Sequence, residues 1–131
     1  MAKRGTAEIR LGKLELQIMN VVWEQGTATV HDVKDALSRG KTPAYTTVLT
    51  MMRNLEAKGY LEHEVDGRTF VYQPTLTRAT ARQSMLSELL ERVFDGSPSL
   101  LVNSLMKQKR ISAKELRRIR DLLRERSTDD E

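Results

Sequence analysis

Thr42-Pro43-Ala44-Tyr45-Thr46-Thr47-Val48-Leu49-Thr50-Met51-Met52-Arg53-Asn54-Leu55 is the stretch on which the reading of this chain turns. At 100° per residue, Tyr45, Val48, Leu49, Met52 and Leu55 form one apolar stripe at i, i+3, i+4, i+7 spacing. Thr46, Thr47, Thr50, Arg53, Asn54 and Lys58 point the other way. A purely solvated face is normally built from Glu, Lys and Gln, which are good helix formers, and three Thr on one face lower helix propensity. Short hydroxyl and methyl groups beside a cation suit a DNA duplex. Thr bonds a phosphate or base edge, and its methyl can touch thymine. The plainer alternative is a packing helix whose Thr residues fill surface. Tyr45 is ambiguous, with its ring in the stripe and its hydroxyl within reach of a phosphate.

Working outward, Thr42 is expected as the N-cap of this helix. Pro43 sits at its first position, where the missing N–H costs nothing. Lys58 ends it, and Gly59 follows as the left-handed C′ residue. Upstream, Leu11, Leu14, Ile18, Val21 and Val22 predict a helix over about residues 12–24, closed by Gln25-Gly26. Thr29 caps a short second helix, with Val33, Ala36 and Leu37 inward and His31, Asp32, Lys34 and Asp35 outward. Ser38-Arg39-Gly40-Lys41 connects it to the third. Downstream the period changes from helical to alternating. Leu61, His63 and Val65 share a face of one strand, and Phe70 and Tyr72 belong to a second. Val65-Asp66-Gly67-Arg68 between them reads as a hairpin turn, and Pro74 stops the second strand.

Three helices followed by a hairpin define a winged helix-turn-helix, and the turn chemistry agrees at each junction. In such folds the N-terminal part of the recognition helix meets base edges. The candidate DNA-binding residues are therefore Thr42, Ala44, Tyr45, Thr46, Thr47, Thr50, Arg53, Asn54 and Lys58, with Arg68 at the wing tip. Two readings stand for Arg68: a solvated turn residue, or a contact to phosphate or minor groove. Glu64 and Asp66 nearby would repel DNA.

Beyond Pro74 the pattern is helical again. Leu86, Leu89, Leu90 and Val93 mark a helix of about residues 77–93, broken by Asp95-Gly96. Ser97-Pro98 starts another, with Leu100, Leu101, Leu105 and Met106. Ser112-Ala113-Lys114-Glu115 is a capping box. It opens a last helix with Leu116, Ile119, Leu122 and Leu123 inward, and a polar, frayed tail over Ser127–Glu131. Three short amphipathic helices cannot bury a self-sufficient core. The economical solution is a second copy of the chain. Residues 77–131 are read as a dimerisation arm with Leu86, Leu89, Leu90, Leu101, Leu105, Leu116, Ile119 and Leu123 at the interface, and residues 1–76 as the DNA-binding domain. The fold class is mainly α with a small β-hairpin wing.

The whole chain has 131 residues, a formal charge of +4 and no cysteine. That excludes a disulfide framework and thiolate metal sites and fits a cytoplasmic setting. Met1-Ala2-Lys3-Arg4-Gly5 leads into no apolar run, so no signal peptide is expected. No stretch approaches the ~20 apolar residues of a membrane helix, so no membrane insertion is expected. Residues 1–76 carry 10 Lys and Arg against 9 Asp and Glu, and residues 77–131 carry 12 against 9. An electrostatic footprint must therefore come from clustering on one face. The basic run Lys107-Gln108-Lys109-Arg110 and the later arginines are best read as a solvated helix face, because Glu115, Asp121 and Glu125 interleave with them. His31 and His63 have no ligand spacing and are read as solvated polar residues. No phosphate loop, nucleophile elbow or paired catalytic carboxylate is present, so neither an enzyme nor a cofactor site is expected.

Two runs carry a family resemblance. Leu14-Glu15-Leu16-Gln17-Ile18-Met19-Asn20-Val21-Val22-Trp23, and Ala44 to Leu55 followed by Lys58-Gly59, are similar to the BlaI/MecI/CopY penicillinase-repressor family of bacterial transcriptional regulators. The resemblance covers about residues 10–126. It implies a dimeric repressor on a palindromic operator that overlaps a promoter. In the β-lactamase branch a membrane sensor-protease relays the β-lactam signal, and the repressor is cut in its dimerisation domain beside an Asn. Phe94-Asp95-Gly96 and Leu101-Val102-Asn103-Ser104 resemble that neighbourhood, which puts the bond at Asn103–Ser104. The branch has Phe where this chain has Ser104. The copper-responsive branch uses Cys-x-Cys pairs, which this chain lacks. The alternative from another class is a winged helix whose Thr face docks on a protein.

Overall fold

The computed structural model describes residues 8–38 and 42–129. The segment Met1–Gly5, the Arg39–Lys41 part of the connection, and Asp130 and Glu131 of the expected tail lie outside the described residues. In order come α1 (Lys13–Gln25), α2 (Val30–Ala36), α3 (Tyr45–Ala57), β1 (Leu61–Asp66), β2 (Thr69–Pro74), α4 (Arg78–Val93), α5 (Pro98–Lys107) and α6 (Ala113–Asp129). The fold is mainly helical with one antiparallel hairpin. The chain forms two compact units that divide within α4, after Leu86.

In the first unit, α1 supplies Ile18, Met19 and Val22 to one core, α2 adds Val30 and Val33, and α3 adds Val48, Met52 and Leu55. Leu61 and Tyr72 of the hairpin close it. Glycine with positive φ ends two of the helices. Gly26 (φ 87°) donates its N–H to the Val22 carbonyl at 2.7 Å. At the end of α3, Gly59 (φ 86°) donates to Glu56 and Tyr60 to Leu55, both at 2.9 Å, which is a complete Schellman motif. α2 begins with a reciprocal capping box. Asp32 N–H donates to Thr29 Oγ1, and Thr29 N–H donates to Asp32 Oδ2, each at 3.0 Å.

Four expectations are corrected here. α3 begins at Tyr45 and its N-cap is Ala44, not Thr42. Ala44 holds extended dihedrals and its carbonyl accepts from Thr47 and Val48, so the helical ladder starts there and Pro43 lies outside it. Ala36 is exposed, while Val30 is buried. The inward stripe of this short helix is Val30, Val33 and Leu37, which rotates Ala36 outward. Tyr45 is 38 % exposed rather than core, because the first turn of α3 ends against the His31 ring, 4.9 Å between centroids. Ser127–Asp129 continue α6, since no Gly or Pro interrupts the chain after Ser112.

In the second unit, Ser97 Oγ caps α5 by accepting from Leu100 N–H at 3.1 Å, with Pro98 at the first position. Ser112 Oγ likewise accepts from Glu115 N–H at 3.1 Å at the start of α6. α5 contains no buried residue, and Leu122 and Leu123 of α6 are each 63 % exposed.

Glu15 is the one buried charged residue among the described residues, 8 % exposed. Lys58 Nζ donates to its two oxygens at 2.8 and 3.0 Å and to the Arg10 carbonyl at 3.0 Å. Gly12 N–H adds a further bond to Glu15 Oε1 at 2.9 Å. Burial alone would raise the carboxyl pKa. The hydrogen bonds from Lys58 and Gly12, with the charge of Lys58, outweigh it, and the net shift is downward from 4.5. A lowered folded pKa gives stability that is complete above the ordinary value and lost as pH falls through the folded one. Glu15→Gln is expected to cost about 1 kcal/mol at pH 7, modest because Lys58 stays partly solvated. In denaturant titrations this gap should close below pH 4.5 as the wild-type carboxylate protonates. A gap that persists unchanged at pH 3 would refute the ion pair as its source.

Candidate nucleic-acid interface

The outer face of α3 is open to solvent. Thr46, Thr47, Thr50, Arg53 and Asn54 are all exposed, as are Thr42 and Ala44 just before the helix. No side chain caps its N-terminus. The first amides of a helix that lacks a side-chain cap can donate to an anion. Lys58, expected on the same face, is turned the other way and committed to Glu15 and the Arg10 carbonyl. It pins the end of α3 to the start of α1. Its sequence position, three residues after Leu55 at a helix end, gave no sign of that partner 43 positions upstream.

The wing is built by a register that pairs Leu61 with Pro74 and Asp66 with Thr69. The loop is therefore Gly67-Arg68, and Asp66 belongs to β1 rather than to the turn centre. Gly67 has φ 66° and Arg68 does not have positive φ, the sign pattern of a II′ hairpin turn. Arg68 stands exposed at the tip.

His63 is not simply solvated. Its Nδ1 lies 2.8 Å from both carboxylate oxygens of Glu56, on the last turn of α3. Its ring stacks on Phe70 with centroids 4.0 Å apart and planes within 9°. This fastens the wing to the helix. A second fastening is an isolated bridge between Ala28 and Tyr72, whose N–H and C=O groups exchange two 2.9 Å bonds. Tyr72 is fully buried, and its hydroxyl has no hydrogen-bond partner among the described residues. Burial pushes the phenol pKa up, the charge of Glu56 adds to the rise, and that of Arg53 opposes it.

These attachments leave a cleft of about 380 Å³ between the start of α2, α3 and the wing. Arg53 of α3 and Arg68 of the wing line it together with the exposed His31. Tyr45, Leu49, Phe70 and Tyr72 form much of the remaining wall, and no carboxylate lines it. Among the described residues no group of three or more His, Cys, Asp or Glu could hold a metal ion. No helix of the described residues is long and apolar enough to cross a membrane.

A helix with an exposed Thr and Arg face, followed by a wing fastened to it, defines a winged helix-turn-helix of the kind used by DNA-binding regulators. The family model of the penicillinase repressor matches residues 11–125, and the chain belongs to that family of transcriptional repressors, which are not enzymes. Among its relatives, the penicillinase repressor of Bacillus licheniformis is 27 % identical over 116 residues, covering 88 % of this chain and 91 % of the relative. The methicillin resistance regulatory protein MecI of Staphylococcus aureus is 20 % identical over 113 residues, covering 86 % and 92 %. Among solved structures, the DNA-binding domain of the repressor BlaI is 30 % identical with a TM-score of 0.50, covering 56 % of this chain and 93 % of that domain. The reduced form of MarR from E. coli shares the fold at 19 % identity and a TM-score of 0.50, covering 88 % and 76 %.

Proposed function

We propose that this chain is a cytoplasmic homodimeric repressor that binds a palindromic operator, and that cutting its dimerisation arm releases the DNA. The exposed Thr46, Thr47 and Thr50 face of α3, beside Arg53, carries the DNA reading. Thr42, Ala44, Tyr45 and Asn54 extend that face, and Arg68 reaches from the wing. Lys58 is left out of this contact set, because its ammonium holds α1. Residues 1–76 form the DNA-binding domain in this reading, and residues 77–131 the dimerisation domain.

The dimer is supported by apolar side chains that the monomer leaves uncovered. Leu86, Leu89, Leu122 and Leu123 are exposed, while Leu90, Leu101, Leu105, Leu116 and Ile119 are only partly buried. Burying a Leu or Ile is worth about 1.5–3 kcal/mol, so a second copy that covers this set supplies a strong drive to pair. The B. licheniformis relative is a penicillinase repressor and the S. aureus relative regulates methicillin resistance, which supports a β-lactam signal. Its relay by a membrane sensor-protease is proposed on the family resemblance of the sequence alone. The proposed cut is Asn103–Ser104, both in α5.

Duplexes selected by the protein from a random pool should contain inverted half-sites whose centres lie about 34 Å, or a multiple, apart. On that duplex Thr46→Ala or Thr47→Ala should cost roughly 1–3 kcal/mol, with little effect on scrambled DNA. Full operator affinity in both variants would show the wrong face. Binding indifferent to salt would point to a protein partner instead.

A chain ending at Asn103 loses α6 and the interface residues it carries. It should sediment largely as a monomer, because too little apolar surface remains to offset the entropy of association. Operator affinity should fall by orders of magnitude as bivalency is lost, while circular dichroism still reports a folded winged helix. A tight dimer with undiminished affinity would rule out this bond as the switch.

A further inference from the structure

We propose that the cleft between α2, α3 and the wing seats one phosphodiester of the bound duplex, gripped between Arg53 and Arg68 with His31 on the rim. The proposal rests on the DNA-binding reading above and assigns Arg53 a role that its place on the Thr face does not suggest. Arg53 becomes a backbone clamp rather than a reader of bases.

Three independent observations converge on it. The first is charge. Two guanidiniums and an imidazole line one cavity, and neither Arg53 nor Arg68 makes an ion pair among the described residues. The strands beside it carry Glu62, Glu64 and Asp66, yet no carboxylate lines the cleft. Uncompensated cations in a concave, partly apolar site favour an anion. The second is position. A recognition helix in the major groove and a wing tip at the minor groove must straddle the backbone strand that separates the two grooves. The cleft is bounded by these two elements, and about 380 Å³ accommodates a phosphate with its flanking sugar atoms.

The third is Tyr72. Its hydroxyl is sealed from solvent with no partner among the described residues, an arrangement that costs folding free energy. Tyr72 lines the cleft, and Glu56, Arg53 and Tyr45 are its electrostatic neighbours. Tyr45, 38 % exposed, lines the cleft against the His31 ring, and its displacement would open the hydroxyl to the cleft. A phosphate oxygen drawn in by Arg53 then gives the hydroxyl its acceptor.

The test uses full-length protein and a duplex that the wild type selects from a random pool. Methylphosphonates, which remove the charge of a single phosphate, are scanned along each backbone. One position per half-site should weaken wild-type binding about tenfold and weaken Arg53→Ala little further, a coupling that marks direct contact. Arg53→Ala should lose the same factor on selected and scrambled duplexes, and its salt slope should fall by about 1, whereas Thr46→Ala keeps the slope. Tyr72→Phe should be as stable as wild type or more so, and bind the duplex less tightly. Inorganic phosphate titrated into the free protein should give no saturable shift of the His31 ring resonances at millimolar concentration.

Each arm can overturn the proposal separately. No methylphosphonate position coupled to Arg53, or an Arg53→Ala loss confined to the selected duplex, makes Arg53 a base reader. Saturable phosphate binding makes the cleft a site for free anions. Unchanged DNA binding by Tyr72→Phe would mean that no phosphate oxygen enters far enough to meet the hydroxyl, and the cleft then does not seat a phosphodiester. A wild type that selects no duplex removes the parent reading as well, an outcome distinct from all of these.

Discussion

The two backbone hydrogen bonds between Ala28 and Tyr72 govern the geometry of the first unit. A two-stranded hairpin is marginal by itself in water. Here β2 gains a second neighbour for one residue only, from the short link between α1 and α2. That single bridge buries the Tyr72 ring in the helical core and sets the wing at a fixed distance from α2 and α3. The Glu56–His63–Phe70 contact then ties the other strand to the end of α3. The wing and the recognition helix therefore act as one surface, and the cleft between them has defined walls.

The features legible in sequence are those with a local cause. Gly26 and Gly59 take the left-handed positions that end their helices, and Thr29 and Ser97 cap the helices they precede. Each depends on neighbours within a few residues, so spacing alone exposes it. The misreadings share a different cause. Helical angle alone puts Lys58 on the Thr face, but its partner Glu15 lies 43 residues away. His63 reads as solvated because nothing beside it in sequence shows that Glu56 folds back over it. A one-residue bridge such as Ala28–Tyr72 has no period to detect. Asp-Gly signalled the hairpin correctly but not its register. The pairing of Asp66 with Thr69 moved the turn by one residue and left Arg68, not Asp66, in the loop. His31 is exposed, as its polar setting in the sequence suggests, but that it lines a cavity depends on α2 and the wing meeting.

The composition of α3 reflects two demands. Its inner face must hold the core, and Val48, Met52 and Leu55 are fully buried. Its outer face carries Thr46, Thr47 and Thr50, each a few tenths of a kcal/mol poorer in helix propensity than Ala. Ala44 as an uncapped start costs roughly a further 1 kcal/mol relative to Ser or Asp. A helix selected for stability alone would have neither feature. The complete Schellman motif at its far end and the Lys58–Glu15 pair offset part of that deficit. Stability is thus concentrated at the C-terminal end of α3, and the N-terminal end is left open for contact.

The second unit has the opposite economy. α5 buries no residue, and a helix of 10 residues is below the length at which helices are stable alone in water. Lys109, in the left-handed region at φ 57°, ends it where glycine would be less strained. Asn103 and Ser104 lie in the middle of this helix, whereas a protease needs an extended substrate backbone. The proposed cut therefore requires α5 to open first. With no buried side chain to release, opening costs little in the separated chain. Pairing with a second copy that covers Leu101 and Leu105 would raise that cost. Under the proposed mechanism the same leucines that hold the dimer also guard the bond whose cleavage dissolves it. The rate of cutting is then limited by local opening, and it rises as the dimer weakens.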